Sequence, residues 1–254
     1  MSDKTQPTSG SSAAAFPTTQ WNILASIRAD AAGTHRTELL EFLIRRYWRP
    51  VYVFVRRLGQ SHEDACDAVQ GFFSRCLEQD LFARADPTVG RFRTYLLRSF
   101  KNYLQNVHRA ASAKRRRPTA GLVSLDALMD AEGPTFEPRA GETPEDVFNR
   151  AWATEFIERV VRVFERECRA TNKTAHYELL QARIIRPALE GAPVPSLRSL
   201  AQQMGLAEKQ ASNCLLAARR VFQRLLRQEV LLHVSSENEA TAEIRELFGA
   251  FGSA

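Results

Sequence analysis

Residues 90–117 constrain the fold most, because they combine a long helical pattern with a concentration of positive charge. Apolar residues recur at helical spacing along one side of this segment: Phe92, Leu96, Phe100, Tyr103 and Val107. Within 84–117, ten residues are Lys or Arg and the one acid is Asp86, so the stretch carries +9 against +6 for the whole chain. The pattern predicts an amphipathic helix with an apolar side in a core and a strongly basic opposite side.

The basic side of this helix has the chemistry of a nucleic-acid surface. It carries Arg98, Lys101, Asn102, Gln105 and Arg109. Cations of this kind pair with phosphates, and side-chain amides hydrogen-bond to base edges. An ordinary solvated helix face has the same appearance. The choice between the two interpretations therefore depends on the rest of the chain.

Composition and motif content narrow the function classes. No apolar run approaches the roughly 18–20 residues of a membrane span, and the N-terminus has no hydrophobic signal region, so we expect a cytoplasmic protein without a membrane partner. The four cysteines are scattered, which favours reduced core residues. Phosphate-loop, paired-carboxylate, nucleophile and metal patterns are missing from the sequence. We therefore expect no enzyme activity, no catalytic residues, no metal and no cofactor.

Helical periodicity on both sides of a Pro- and Gly-rich stretch predicts an all-α protein of two helical domains joined by a flexible linker. The first 18 residues are rich in Ser, Thr, Pro and Ala, which is typical of a disordered tail. For the C-terminal extension, a short docked helix with Ile244, Leu247, Phe248 and Phe251 and an unstructured end both fit. The predicted boundaries are a tail 1–18, a first domain 19–117, a linker 118–143, a second domain 144–230 and the extension 231–254. Thr143 as N-cap and Pro144 in the first turn are predicted to begin the first helix of the second domain.

Residues 37–58 predict a helix with a kink or break before Pro50. The following pattern at 61–78 predicts a helix that begins at Ser61 as N-cap, with Asp64 as its capping-box partner. Its apolar side consists of Ala65, Val69, Phe72, Phe73 and Cys76.

The opposite side of this helix is acidic and shows Glu63, Asp67, Gln70, Ser74 and Glu78. Phosphates would be repelled by such a face, so it is either a solvated surface or the contact for a basic protein partner. The loop at 81–90 contains helix breakers. We expect Phe82, Arg84, Asp86 and Arg91 to be accessible at its rim.

Residues 196–230 match the spacing of a helix-turn-helix. Ala201 is small where two helices approach each other, and Gly205, four residues later, takes the turn position that favours positive φ. The next helix has an apolar side of Ala211, Leu215, Ala218, Phe222 and Leu225. Its polar side shows Lys209, Gln210, Asn213, Arg220 and Arg224. An ordinary helical hairpin with a Gly turn fits the same pattern.

The order of these segments resembles that of a bacterial RNA polymerase sigma factor of the extracytoplasmic-function (ECF) type. The order is the acidic helix HEDACDAVQGFF, the loop, the basic helix FRTYLLRSFKNYLQNVHR, the linker and the helix-turn-helix. The segments TTQWNILASI and LFARADPTVGRFRTYLL resemble those of Planctomycetes-like bacteria. The first domain is similar to sigma domain 2 and the second to sigma domain 4. This resemblance implies a protein that binds core RNA polymerase and directs promoter recognition, DNA melting and transcription initiation.

The resemblance also implies roles for individual residues. Contacts to the β′ clamp of core RNA polymerase would come from Asp64, Asp67 and Gln70. The −10 promoter element, with a flipped base at the loop, would contact Phe82, Arg84, Arg91, Arg93, Tyr95, Arg98, Lys101, Asn102, Gln105 and Arg109. The −35 element, next to the β flap, would contact Lys209, Gln210, Ser212, Asn213, Arg219 and Arg220. The chain departs from common family residues at Gly71, Cys214, Leu216 and Ala217.

Two other functions fit the sequence. A helix-turn-helix regulator that acts without polymerase would not need the acidic face, and a helical adaptor would bind DNA only through salt-sensitive, sequence-independent contacts. Three hypotheses concern control: an anti-sigma factor, gating by the tails 1–18 and 231–254, and a regulatory kinase. A kinase acting on Ser61 would add negative charge beside the acidic face.

Overall fold

The computed structural model describes residues 20–29, 34–86, 90–113, 141–231 and 237–249, and all regular secondary structure in these ranges is helical, which confirms the all-α class. We call 20–113 the first half and 141–249 the second half. The first half contains α1 (Gln20–Ala29), α2 (Thr34–Arg57), α3 (His62–Glu78) and α4 (Phe92–Ala113). The second half contains α5 (Pro144–Ala170), α6 (Thr174–Leu180), a π-helical turn (Gln181–Ile185), α7 (Arg186–Glu190), α8 (Leu197–Gln203), α9 (Glu208–Leu231) and α10 (Glu237–Gly249). The predicted tail 1–18 and most of the predicted linker lie outside the described residues.

The predicted helix starts are confirmed where they depend on neighbouring residues. The Ser61 hydroxyl accepts a hydrogen bond from the Asp64 N–H at 3.0 Å, which begins α3. At the start of α5, Thr143 and Asp146 form a reciprocal capping box, with Pro144 in the first turn. Each cap satisfies backbone N–H groups that the first helical turn leaves without partners.

One helix spans the region where a break was an expected alternative. α2 continues from Thr34 to Arg57 with Pro50 inside it. Pro50 is buried, and Tyr47 and Val51 on either side are also buried. Packing of these turns in the core offsets the backbone hydrogen bond that proline cannot donate.

The two halves share one hydrophobic core. α2 packs along α5, and the buried cluster contains Phe72 and Phe100 from the first half together with Val147, Phe148 and Trp152 from α5. The cluster extends to α9 and α10. The prediction of two helical domains on a flexible linker is therefore not confirmed and stays a prediction.

Ion pairs join the halves at the edge of this core. Arg49 Nη1 lies 2.9 Å from Glu155 Oε1, and Arg46 pairs with Glu229 although its side chain is only 7% exposed. Arg159 Nε lies 3.8 Å from Glu229 Oε1. Because a buried guanidinium without a carboxylate is costly, these pairs fix the positions of α2, α5 and α9 relative to one another.

A second, smaller core holds the helix-turn-helix region. It consists of Leu179, Leu200, Ala201, Ala211 and Leu215. α6 supplies one wall, and α8 and α9 supply the others. The apolar sides predicted for α3 and α9 are buried in full. These helices therefore present their polar sides outward.

Candidate nucleic-acid interface and docking groove

A groove of about 970 Å³ runs between the end of α2, α3 and α4. Its polar side on α3 includes Asp64, Asp67, Gln70 and Glu78. Its apolar lining consists of Val55, Leu58, Ala68, Tyr103, Leu104 and Val107. The acidic residues therefore border a concave apolar surface, which is the arrangement that an amphipathic partner with basic residues would complement.

Gly71 shapes the wall of this groove. A Cβ atom at Gly71 would overlap the Tyr103 hydroxyl oxygen, so the absence of a side chain lets this phenol lie against the α3 backbone. Burial raises the pKa of Tyr103, which keeps the hydroxyl protonated. A larger residue at position 71 would have to displace Tyr103.

The loop between α3 and α4 differs from the expectation. Phe82 is only 1% exposed, and its ring centroid lies 6.0 Å from that of Phe92, so the prediction that Phe82 is accessible at the loop rim is wrong. The chain turns back after α3, and the ring gains more by entering the core than by facing water. Tyr95 is half-buried and donates a hydrogen bond to the Leu81 carbonyl at 2.9 Å. Arg84 is exposed.

α4 has the predicted amphipathic character over most of its length. The exposed residues on its polar side include Arg98, Asn102, Gln105 and Arg109. Phe92, Leu96 and Phe100 are buried and Tyr103 is half-buried, as predicted for the apolar side. Val107 was predicted to lie in the core with them, but it is 45% exposed. Val107 lines the groove between α3 and α4 instead.

The cations at the start of α4 lie in ion pairs with α10. Arg91 Nη1 is 3.0 Å from Glu243 Oε2 and also pairs with Glu246. Arg93 pairs with Glu243, and its Nη2 lies 2.5 Å from Glu246 Oε2. The Arg93 guanidinium also stacks over the Trp152 ring, 4.3 Å from the centroid. Two residues predicted to contact DNA are therefore engaged by carboxylates from the other end of the chain.

The two carboxylates of α10 have different electrostatic surroundings. Burial raises the pKa of Glu243 despite the charges of Arg93 and Arg91. Burial would also raise the pKa of Glu246, but hydrogen bonds and charges from Arg91 and Arg93 outweigh it and lower that pKa. For Arg91, burial would lower the pKa, but Glu246 and Glu243 outweigh it and raise the pKa. The arginines therefore favour the charged forms of both carboxylates, whereas the two carboxylates oppose each other, and only for Glu243 does desolvation outweigh the attraction of the arginines.

A third cation of α4 meets an acid of the second half. Lys101 pairs with Glu145 at the start of α5 and lies 5.9 Å from the centroid of the Phe54 ring. The hydrogen bond from Lys101 lowers the pKa of Glu145. We call Glu145, Glu243 and Glu246 the acidic clasp. Together they neutralise part of the positive charge that the sequence concentrates in α4.

The turn between α8 and α9 has the predicted geometry. Ala201 is buried, Gly205 has φ +65°, and the Leu206 N–H donates to the Ala201 carbonyl at 2.9 Å. Positive φ costs glycine little because it has no Cβ. Beyond the turn, the Gln210 side-chain oxygen accepts a hydrogen bond from the Ala207 N–H at 3.0 Å. Gln210 therefore stabilises the start of α9.

α9 presents a polar side to solvent. Its exposed residues include Lys209, Gln210, Ser212, Asn213, Arg219 and Arg220. Leu216 lies at helical spacing between Asn213 and Arg220, and it is 51% exposed. An exposed apolar side chain among cations and an amide suits the mixed surface of a DNA major groove, where thymine presents a methyl group.

Two features of these surfaces were not predicted from the sequence: the exposure of Leu216 among the polar residues of α9, and the acidic side of α10. The available signal was the spacing of Glu239, Glu243 and Glu246, which puts three acids on one side of a short helix in a basic chain. The arginine partners of Glu243 and Glu246 lie 150 or more positions earlier, which helical spacing does not reveal.

Comparisons of the chain with protein-family models, with curated proteins and with solved structures found no match. Within the described ranges, no His, Cys, Asp and Glu side chains group in threes or more as metal ligands would. The helices of these ranges include none that is both long and apolar enough to cross a membrane.

Proposed function

We propose that this protein is a sigma factor that binds core RNA polymerase and directs promoter recognition, DNA melting and transcription initiation. One observation carries the proposal: α4 contributes to two different surfaces. Tyr103, Leu104 and Val107 line the acidic groove, while Arg98 and Asn102 are exposed on the basic surface. A protein in the groove and DNA on the basic side would therefore lie next to each other on one helix.

The groove suits a basic, amphipathic segment of the polymerase. Asp67 is exposed and Gln70 is half-buried at its edge, and the apolar lining includes Leu58, which is 47% exposed. Burial of this lining would supply affinity, and the carboxylates would orient the partner and exclude acidic ones. We assign this groove to the β′ clamp.

The exposed sides of α4 and α9 supply two DNA contacts. Arg98 and Arg109 of α4 would meet phosphates, and Asn102 would read a base edge. On α9, Lys209 and Arg220 would flank a reading surface with Asn213 and Leu216 at its centre. Positioning comes from the cations, whereas selectivity comes from the amides and the leucine.

In this scheme the protein melts DNA by binding unstacked bases, and it catalyses no covalent reaction. Unstacking costs a few kcal/mol per base, and contacts between the protein and the separated strand would offset this cost. Phe82 is buried and therefore unsuitable for stacking on a base. The exposed Arg84 and the polar side of α4 are the groups that would contact the single strand.

The shared core favours a second candidate function. A helix-turn-helix regulator that works without polymerase needs one rigid body, and α2 and α5 are packed together with Arg46 and Glu229 paired between the halves. Such a protein would use α9 to read a single site. In this case the acidic groove would contribute nothing to transcription by core polymerase.

The decisive experiment is transcription in vitro by core RNA polymerase on a promoter library, with and without the protein. The native chain should start transcription at a defined promoter class. Charge reversal of Asp67→Lys should weaken polymerase binding about tenfold or more, because it places a cation where the groove requires an acid. Promoter-independent activity, or no binding to core polymerase, would reject the sigma-factor proposal.

Glu63→Lys is the matched control, because Glu63 is an exposed acid of the same helix that does not line the groove. It should retain polymerase binding. Equal losses from both substitutions would indicate a diffuse charge effect rather than docking in the groove. Sequence-specific DNA binding that survives Asp67→Lys without any stimulation of polymerase would favour the regulator.

A further inference from the structure

We propose that α10 is an internal competitor of DNA: Glu243 and Glu246 occupy Arg91 and Arg93, and α10 must leave before these arginines bind phosphate. The inference rests on the proposed function, because it assumes that the start of α4 binds DNA. It adds a form of regulation to that surface. The free protein holds part of its DNA-binding charge masked.

The geometry of the pairs resembles phosphate recognition. Glu243 and Glu246 are one helical turn apart, and each contacts both Arg91 and Arg93. Guanidinium groups bind carboxylates and phosphates through the same planar, charge-assisted hydrogen bonds. Two neighbouring carboxylates therefore imitate two neighbouring phosphates of a nucleic-acid strand.

α10 is attached in a way that permits exchange. It has 13 residues, and isolated helices shorter than about 12–15 residues are marginal in water, so its order depends on docking. Leu247 and Ala240 are buried, but Phe248 at the next position is 44% exposed. The attachment is thus a limited apolar contact plus the ion pairs.

The ion pairs themselves contribute little free energy to the docking of α10 on α4. Glu243 is buried, and the cost of desolvating its carboxylate opposes the attraction of the two arginines. A DNA strand offers the same arginines continuous negative charge and releases its counterions on binding. DNA therefore competes with α10 on favourable terms, and the competition becomes weaker as salt increases.

Duplex affinity tests the masking directly. Binding of a short fluorescein-labelled DNA duplex of mixed sequence is measured by fluorescence anisotropy over a series of salt concentrations. The full-length variant Glu243→Gln/Glu246→Gln should bind about tenfold more tightly than the native chain at low salt. The logarithmic salt dependence should have the same slope for both proteins, because both complexes contact the same phosphates once α10 has left.

Glu178→Gln/Glu190→Gln is the charge-matched control, because it removes two exposed acids from α6 and α7. It should leave the affinity within about twofold of native, since distant surface charges are screened. The proposal is overturned if the native chain and Glu243→Gln/Glu246→Gln bind the duplex with equal affinity. It is also overturned if the control variant gains as much affinity as Glu243→Gln/Glu246→Gln. Failure of both proteins to bind DNA also overturns it.

Hydrogen exchange supplies a measurement in the native chain. Addition of the duplex should accelerate amide exchange in residues 237–249, because α10 is displaced and loses its order. Unchanged or slower exchange in this segment, at DNA concentrations that saturate binding, overturns the proposal. Neither measurement contains polymerase, so their failure leaves the transcription test of the proposed function intact. A protein that fails that test and shows both effects remains a self-masked DNA-binding protein.

Discussion

α4 and α9 are both basic amphipathic helices, but they differ in how much of their charge is accessible. Arg91, Arg93 and Lys101 at the beginning of α4 are engaged by the acidic clasp. The polar side of α9 is exposed along its first turns, from Lys209 to Arg220. The charge that a segment carries and the charge that it offers to a partner are therefore different quantities.

The difference follows from where each helix lies. α9 emerges from the small core of the helix-turn-helix region, and its first turns bury only one side. The start of α4 lies beside α10, and Lys101 lies beside the first turn of α5. Masking of α4 therefore depends on the packing between the two halves.

The largest effect is expected from Glu229→Gln. This change takes a carboxylate away from Arg46 and Arg159 at the interface of the halves. Loss of one partner of a buried ion pair should lower the free energy of unfolding by about 3 kcal/mol. Urea denaturation measures it, with Glu190→Gln as an exposed control that should change stability by about 0.5 kcal/mol or less. Equal values for the two variants would show that these pairs do not hold the halves together.

The next effect compares single arginines of the two helices. Arg220→Gln should weaken duplex binding by the native chain about tenfold, which corresponds to about 1.4 kcal/mol. Arg91→Gln should change it by less than about twofold, because the lost phosphate contact is offset by the loss of the ion pairs that hold α10 in place. Anisotropy titrations of both variants at the same salt concentration measure the difference.

The difference between the two arginines should disappear when the carboxylates of α10 are removed. In the Glu243→Gln/Glu246→Gln background, Arg91→Gln should become about as costly as Arg220→Gln, since both arginines are then accessible. An equally large loss from Arg91→Gln in the native chain would instead show that α10 does not compete with DNA for this arginine.

A smaller effect is expected at the turn that positions α9. Gly205→Ala introduces a Cβ at a residue with φ +65° and should destabilise the protein by about 1 kcal/mol. Thermal and urea denaturation measure this change. Gly249→Ala is the control, because a Cβ there meets nothing within 4 Å and φ is not in the left-handed region. Equal stabilities of the two variants would argue against strain at the turn.

The smallest effect concerns the groove beside α4. Gly71→Ala places a Cβ against the Tyr103 hydroxyl, and Tyr103→Phe removes that oxygen. The alanine should be tolerated better in the Tyr103→Phe background than in the native chain, by a coupling energy of about 0.5 kcal/mol or more. A double-mutant cycle of unfolding free energies measures the coupling. A value near zero would show that Tyr103 moves away from α3 without cost.

Local patterns were predicted correctly from the sequence. The buried sides of α3 and α9 follow from helical spacing, because residues three and four apart share one face of a helix. The caps at Ser61 and Thr143 are correct because each depends on a partner three residues away. The turn at Gly205 is correct because only glycine adopts its φ at little cost.

The errors occurred where a residue's surroundings come from distant parts of the chain. Of the two alternatives at Pro50, the break is absent because the core packs around a continuous helix, and Phe82 enters that core although its loop was expected to expose it. Val107 is exposed because it lines the open groove beside α3 rather than the core. Helical spacing predicts which side of a helix is apolar, but it does not predict whether a neighbour covers that side.

The helical class, the starts of several helices and the sign of the charge on each face are predictable from the sequence alone, because they depend on contacts within a few residues. The shared core of the halves and the acidic clasp over part of α4 are visible in the folded protein and not in any local pattern. Pairs such as Arg93 with Glu243 join residues far apart in the chain. Such pairs form only when the packing of apolar surfaces brings their elements together, because the loss of chain entropy must be offset elsewhere.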